Sequence, residues 1–481
     1  MDKKLKINFI FNFITQLLTV LTPLIISPYI SRVFNVDLIG DYNYCYSIVS
    51  IFGLFANMGI SVYGIPIISR CKESKEEKSK NFFELLTIKL IFAILSTIIY
   101  TILIFTVFDK SYQSYFVIFE LYILSVFLDI SWFFQAIENF RIICIRTIII
   151  KLISFVFIFG FVKDKSDMNI YILINMLALV LPNLLLFCAI KKEIVIKKFK
   201  LNIQKHLKPI FELLLPGIAY TFYAMIDKTM LKIITGNTTE VGYYEQAYKI
   251  AFIGVTIISV FSTVLSTRIS ALKNDDEIRK LHKYSYSIIS IISIPLFIGL
   301  FILADYFIPF YYGSGYEGAI DILKLFAILT FIMGISNFVS YQYFVPKIIT
   351  KPSMIIIFIS ILINIVLNLF FIKKFGGFGA ALATLIAESF ISFSYMCFYA
   401  RFQKITVVFK TIYKYFISGL ITFIVIYIIN KCIPCNNFKT FMLYSFAIIL
   451  LFFGIVIVLK DEIFLNLISK GIDNLRRKKN G

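Results

Sequence analysis

Residues 354–372 read Met-Ile-Ile-Ile-Phe-Ile-Ser-Ile-Leu-Ile-Asn-Ile-Val-Leu-Asn-Leu-Phe-Phe-Ile, without one charged side chain. As an α-helix rising about 1.5 Å per residue, such a run matches the roughly 30 Å hydrocarbon core of a bilayer. Its apolar residues are continuous rather than alternating, which argues against a barrel strand. A helix also satisfies its own backbone hydrogen bonds where no water is available. Working outward, similar stretches fall at 7–33, 44–69, 83–108, 115–137, 142–162, 168–190, 211–234, 242–269, 284–308, 318–341, 379–400, 413–431 and 439–459. With 354–372 the pattern predicts an all-α polytopic membrane protein of about fourteen transmembrane helices.

Composition agrees. Of 481 residues, 59% are hydrophobic and 16% charged, whereas soluble proteins carry about a quarter charged residues. Mean hydropathy is +0.87. These values exclude a soluble globular enzyme, a disordered chain and a fibrous repeat. The first stretch begins Met1-Asp-Lys-Lys-Leu-Lys6 and runs on without a small-residue cleavage site, so it is expected to be an uncleaved span rather than a signal peptide.

The net charge of +20 needs an explanation, and its distribution supplies one. Cations crowd the N-terminus and every second loop. One loop has Arg70, Lys72, Lys75, Lys78 and Lys80; the loop near 191–208 has seven lysines; the tail has Arg476, Arg477, Lys478 and Lys479. Roughly 35 of the 48 cations lie on this side and roughly 9 on the other, a positive-inside signature. Both termini are therefore expected in the cytoplasm, with an even number of spans. Topology accounts for the charge, so nucleic acid is not expected as a partner.

Other chemistry is sparse. Seven scattered cysteines do not make a disulfide framework, and Cys432-x-x-Cys435 lacks the βαβ context of a redox motif. His206 and His282 lie in polar connecting segments and assemble no zinc or catalytic constellation. Gly313-Ser-Gly315-Tyr-Glu-Gly318 matches a dinucleotide fingerprint but follows an apolar span instead of a strand, so it is read as a tight turn. No cofactor or metal site is expected, and the absence of a Walker A sequence argues against ATP-driven transport by this chain alone.

A repeat organises the chain. Gly40-Asp-Tyr42-Asn-Tyr-Cys-Tyr46 and Gly242-Tyr-Tyr244-Glu-Gln-Ala-Tyr248 share Gly, Tyr and Tyr at one spacing, and Phe134-Gln135 is echoed by Tyr341-Gln342. Six spans separate the copies, an even number that leaves both in the same orientation. The expected architecture is two pseudo-symmetric six-helix lobes, residues 1–190 and 211–400. A cytoplasmic linker at 191–210 joins them, and 401–481 adds two helices and a basic tail. Lobes hinged in this way enclose a cavity whose access can alternate.

Ionisable residues inside spans mark candidate sites, because they are costly in lipid and face a cavity or a partner. Lys89, Lys151, Lys249 and Lys324 lie about two turns from a span end; each either snorkels to the interface or lines the lumen. On an uninterrupted helix, Ser125, Asp129, Trp132, Gln135 and Asn139 fall on one stripe, either a lumen surface or an interhelical hydrogen-bond patch. Asp227 and Lys228, adjacent on one span, point about 100° apart. Glu388 either binds a proton reversibly or pairs with a lysine from another span. Arg32 either grips a phosphate or anchors a span end.

The chain resembles the Wzx-like oligosaccharide-lipid flippases of the MOP superfamily. The resemblance rests on Asp129-Ile-Ser-Trp132-Phe-Phe-Gln135-Ala-Ile-Glu138, Gly40-x-Tyr42, Leu215-Pro216, Asp227 and Gly242-Tyr-Tyr244. Asn368, Phe375-Gly-Gly-Phe-Gly379-Ala-Ala381 and Glu388 complete it. It implies a transporter rather than an enzyme, in the bacterial cytoplasmic (inner) membrane. Such a protein flips undecaprenyl-pyrophosphate-linked oligosaccharide repeat units for O-antigen or capsule biosynthesis, driven by H⁺ or Na⁺ and working beside a polysaccharide polymerase. Under it, Arg32, Lys89, Lys228, Lys249 and Lys324 are candidate partners for the pyrophosphate, and Trp132 and Gln135 for sugar. Asp129, Asp227 and Glu388 are candidate coupling-ion residues. A multidrug/cation antiporter and a peptidoglycan-precursor flippase of the same superfamily stand as alternatives.

Overall fold

The computed structural model describes residues 11, 18, 21–71, 74–272, 274–347, 349–466 and 469; side chains at 212–224, 264, 267 and 350 lie outside that description. The basic tail and the N-terminal residues before 7, counted above as cytoplasmic, lie outside it too, as does most of the first apolar stretch up to residue 20. Among the described residues all regular structure is helical. In order these helices are α1 (21–33), α2 (Val36–Asn57), α3 (Ile60–Arg70), α4 (Lys75–Thr106), α5 (Gln113–Leu128), α6 (Ser131–Ala136), α7 (Phe140–Phe161) and α8 (Met168–Ile190). There follow α9 (Gln204–Thr235), α10 (Thr239–Ser270), α11 (Asp275–Ile302), α12 (Ala304–Tyr312), α13 (Ala319–Val339), α14 (Thr350–Tyr399), α15 (Ile405–Cys432) and α16 (Phe438–Val458). Each of the fourteen apolar stretches, the first over its described residues 21–33, has its helix, helix pair or half of a folded helix here. The chain is a multi-pass membrane protein.

Local chemistry sets the boundaries. Ser74 and Asn274 cap α4 and α11 by accepting from the backbone N–H of Glu77 (3.2 Å) and Asp276 (2.9 Å). Acidic residues fill both first turns, where they complement the helix dipole. The second stretch is two helices, because Met58 and Gly59 take left-handed φ of 48° and 69°. α14 folds back at Gly376, whose φ of 55° and ψ of −133° interrupt the helix. The two legs then approach so closely that a Cβ on Gly379 would strike the carbonyl of Phe371. Gly313 and Gly315 both have positive φ, as the tight-turn reading requires.

The faces of α4 show the solvent that the fold is built for. Ile88, Lys89, Ala93, Ser96, Tyr100 and Ile104 are buried, while Ile91, Ile94, Leu95, Ile98, Ile102 and Phe105 are exposed. Over this stretch the polar groups of the helix face the protein while its outward face is wholly apolar, the arrangement of a helix bathed in lipid.

The chain divides into two compact units, one ending at Gly242 and the other starting at Tyr243. Helix α9, which the repeat assigned to the second lobe, packs on α2 and α3 and falls within the first unit. The repeat itself is visible as geometry. In the first unit Tyr42 and Tyr46 stack at 6.2 Å with 9° between ring planes, and Phe119 meets Tyr42 edge-on at 5.3 Å. In the second, Tyr244 and Tyr248 stack at 6.2 Å and 7°, and Phe326 meets Tyr244 edge-on at 5.3 Å.

Candidate functional site

The fourth apolar stretch is not one helix. α5 stops at Leu128, Asp129 is extended (φ −73°, ψ 99°), and α6 starts at Ser131. Asp129 Oδ1 accepts from Ser131 N at 2.9 Å, so the carboxylate restarts the chain after the break. The single stripe running from Ser125 to Asn139 therefore does not exist, because residues on the two sides of the break no longer share a helical phase. Trp132 is 1% exposed, stacked on Phe82 at 5.9 Å and pressed against Gly64. In this conformation it is a packing residue closed off from the surface. Gln135 is half-buried.

The break gathers charge. Its freed carbonyls need donors, and Lys89 Nζ from α4 donates to Asp129 O at 2.7 Å. Lys89 is completely buried and does not snorkel. Arg146 of α7, also buried, donates through Nη1 to Asn183 Oδ1 at 2.6 Å, and Asn183 Nδ2 donates to Ser125 O at 2.9 Å. The Asp129 carboxylate is the opposite charge felt by both Lys89 and Arg146. Arg146 Nε is enclosed with no hydrogen-bond partner among the described residues. The outcome is two buried cations around one half-buried carboxylate. Arg146 and Asn183 were missed from sequence, although an arginine inside an apolar stretch is itself a signal.

At one end of α2, Gly40 and Gly242 serve the two repeats. A Cβ on Gly40 would collide with the carbonyl of Thr238, and one on Gly242 with that of Val36. Thr239 Oγ1 donates to Asp37 Oδ1 in the same junction. Nearby, Asp41 interacts with Thr238 and Tyr112 and feels the charge of Lys232. Arg32 is exposed and donates to Pro28 O at 2.6 Å; with Tyr29, Lys163 and Lys165 it lines an open cleft. Asp227 and Lys228 are buried in α9, and Thr229 beside them shares a 2.8 Å hydroxyl contact with Ser47 of α2.

In the second unit, Glu388 is 5% exposed on the second leg of α14. On the first leg, Asn368 Nδ2 donates to Asn364 Oδ1 at 3.1 Å, and Ser360 donates to Ala387 O at 3.0 Å. Lys324 forms ion pairs with Asp305 (2.8 Å) and Asp321 (3.7 Å), and Lys249 pairs with Glu245 at 3.7 Å. Two apolar cavities of about 340 and 460 Å³ adjoin along α15 and share Phe331 and Phe416. The exposed rings of Phe393 and Phe409 stand at the first of them. Among the described residues no group of three or more His, Cys, Asp or Glu is placed to hold a metal.

A fold of this kind, with helices in repeated halves and charges sealed inside them, is that of a membrane transporter. Residues 5–273 match the family described as polysaccharide biosynthesis protein, and the chain belongs to that family. A relative in Escherichia coli (strain K12), named "Putative O-antigen transporter", is 22% identical over 411 residues, covering 84% of this chain and 98% of its own. A protein of the same name in Shigella dysenteriae is 22% identical over 391 residues, covering 80% and 98%. Among solved structures, the lipid II flippase MurJ in an inward closed conformation superposes with a TM-score of 0.72 at 19% identity, covering 96% of this chain and 99% of that one. An outward-facing multidrug resistance MATE family transporter of the MOP superfamily gives 0.58 at 14% identity, covering 83% and 94%. These two likenesses establish the fold.

Proposed function

We propose that this protein flips undecaprenyl-pyrophosphate-linked oligosaccharide repeat units across the bacterial cytoplasmic membrane, by alternating access, for O-antigen or capsule assembly. The observation that carries the proposal is the pair of sealed cations, Lys89 and Arg146, in a chain of the polysaccharide biosynthesis family. A cation buried in a membrane helix is costly, faces a partner or a cavity, and marks a candidate path for a substrate or an ion. A pyrophosphate brings two negative charges, and an arginine fork suits its oxygens. The apolar groove along α15 supports the same reading, because it offers an isoprenoid tail a surface of its own polarity.

Arg32, Lys228, Lys249 and Lys324 join Lys89 as proposed contacts of the diphosphate, and Gln135 as a contact of sugar. Asp129, Asp227 and Glu388 are the proposed sites where H⁺ or Na⁺ binding biases one access state over the other. Both termini lie in the cytoplasm under this proposal, and a polysaccharide polymerase receives the product. The test is deletion of the gene followed by complementation. Loss of surface polymer with lipid-linked repeat units building up on the cytoplasmic leaflet supports the proposal. Normal polymer with altered drug resistance, or with a peptidoglycan defect instead, supports one of the two related transporters.

A further inference from the structure

The segment between α8 and α9 does not run free in solvent. It lies along the opening turns of α4. Lys78 pairs with Glu193 at 3.7 Å, Val195 N donates to Ser79 Oγ at 2.8 Å, and Lys197 pairs with Glu76 at 2.6 Å. Asn202 N then donates to Glu84 Oε1 at 2.8 Å. At Glu84 the attachment becomes buried, with its side chain 0% exposed. Its other oxygen, Oε2, meets Lys205 Nζ at 2.7 Å and His206 Nε2 at 2.9 Å. His206, also buried, turns Nδ1 to the Tyr63 hydroxyl of α3 at 3.0 Å. The polar-loop reading of His206 is thereby corrected: the residue is polar in sequence but enclosed in the fold.

One assignment of protons satisfies every member. With Glu84 ionised and His206 neutral, Nε2–H donates to the carboxylate and the Tyr63 hydroxyl donates to Nδ1. Asn202 N–H and the Lys205 ammonium supply the remaining donors. A proton added to the imidazole sets Nδ1–H against the Tyr63 hydroxyl, which must then find another acceptor. A proton added to Glu84 sets a hydroxyl among three donors. Either change sets donor against donor at a buried hydrogen bond, which the latched arrangement disfavours. The charged groups facing this cluster are Arg70 of α3, which acts on Tyr63, and Lys205, which Asn81 also holds at 3.1 Å. Burial lowers the His206 pKa from its ordinary value; Glu84 opposes the shift and Lys205 adds to it.

We propose that Glu84, His206 and Tyr63 form a proton-binding site that latches the segment 191–203 to α4, and that taking up a proton there releases the segment. The latch stands on this geometry alone. Its use, as a link between protons at the basic face and the transport cycle, rests on the flippase reading.

Hydrogen exchange of the purified full chain in lipid nanodiscs tests it. Protection of amides 193–203, corrected for the intrinsic pH dependence of exchange, is compared from pH 8 to pH 5.5. Protection should fall by up to about tenfold on acidification, the most that one histidine of ordinary pKa about 6.5 can supply by pH 5.5, while α8 amides stay unchanged. His206→Gln keeps a donor for Glu84 but cannot titrate in this range, so it should abolish the step. Tyr63→Phe removes the donor to Nδ1, frees that nitrogen for a proton and should move the step to higher pH. A flat wild-type profile, a step that survives in His206→Gln, or an unmoved midpoint in Tyr63→Phe overturns the proposal. The readout needs no substrate, so failure here leaves the flippase reading untouched, and failure of polymer complementation leaves the latch untouched.

Discussion

Thr239 donates a hydrogen bond to Asp37, its equivalent in the other repeat, 202 residues away. The same offset carries Gly40 to Gly242 and Val36 to Thr238, and each glycine lies against the backbone of the other copy's partner. Two helix starts thus meet about a local two-fold relation, so close that glycine is needed on both sides.

If this junction opens during each transport cycle, a covalent bond across it should stop transport. Asp37→Cys combined with Thr239→Cys should cross-link under oxidation, and polymer export should fall to the level of the deletion strain and recover on reduction. Full export with complete cross-linking would show that the junction stays closed throughout.

Gly40→Ala tests the same contact by size. Added bulk in a close-packed site costs roughly 1–3 kcal/mol, and here the obstacle is a backbone carbonyl that cannot rotate away. The closed junction should be destabilised and the Asp37→Cys/Thr239→Cys cross-link should form at least about fivefold more slowly, as about 1 kcal/mol implies. An unchanged cross-linking rate would contradict the proximity.

Asp129→Asn keeps an oxygen that can accept from Ser131 N, so the start of α6 should survive, while the negative charge facing Lys89 and Arg146 disappears. Membrane levels should stay near wild type and polymer export should drop by about tenfold or more. Export at the wild-type rate would remove Asp129 from the coupling residues.

Trp132→Ala should act differently. Emptying a sealed aromatic site costs about 3–5 kcal/mol, so the midpoint of thermal unfolding in detergent should fall sharply. Whatever protein remains folded should keep wild-type preference among sugar repeat units. A changed preference without lost stability would return Trp132 to the substrate path.

Much of the fold is legible in the sequence because bilayer thickness and lipid polarity constrain every span in the same way, and the Tyr42/Tyr46 and Tyr244/Tyr248 register marks the repeat. What escaped depended on contacts distant in sequence. No glycine or proline announces the break at Asp129; Lys89, forty residues earlier, makes it tolerable by capping a freed carbonyl. Judged from its own helix, Lys89 looked able to reach the interface, yet its neighbours enclose it. His206 looked like loop because the residues that bury it, Tyr63 and Glu84, belong to other helices. The two glycines could be picked out by spacing, but their approach to Thr238 and Val36 could not.

The central claim is that this chain moves a lipid-linked oligosaccharide diphosphate between leaflets. Purified protein in proteoliposomes, loaded with undecaprenyl-diphosphate-linked oligosaccharide and probed by an external glycosidase, measures that directly. The account predicts that wild-type protein exposes inner-leaflet substrate far faster than protein-free vesicles, and that Lys89→Ala and Arg146→Ala lose most of that rate while still inserting. Exposure no faster than in empty vesicles, or equal rates in both variants, would contradict it.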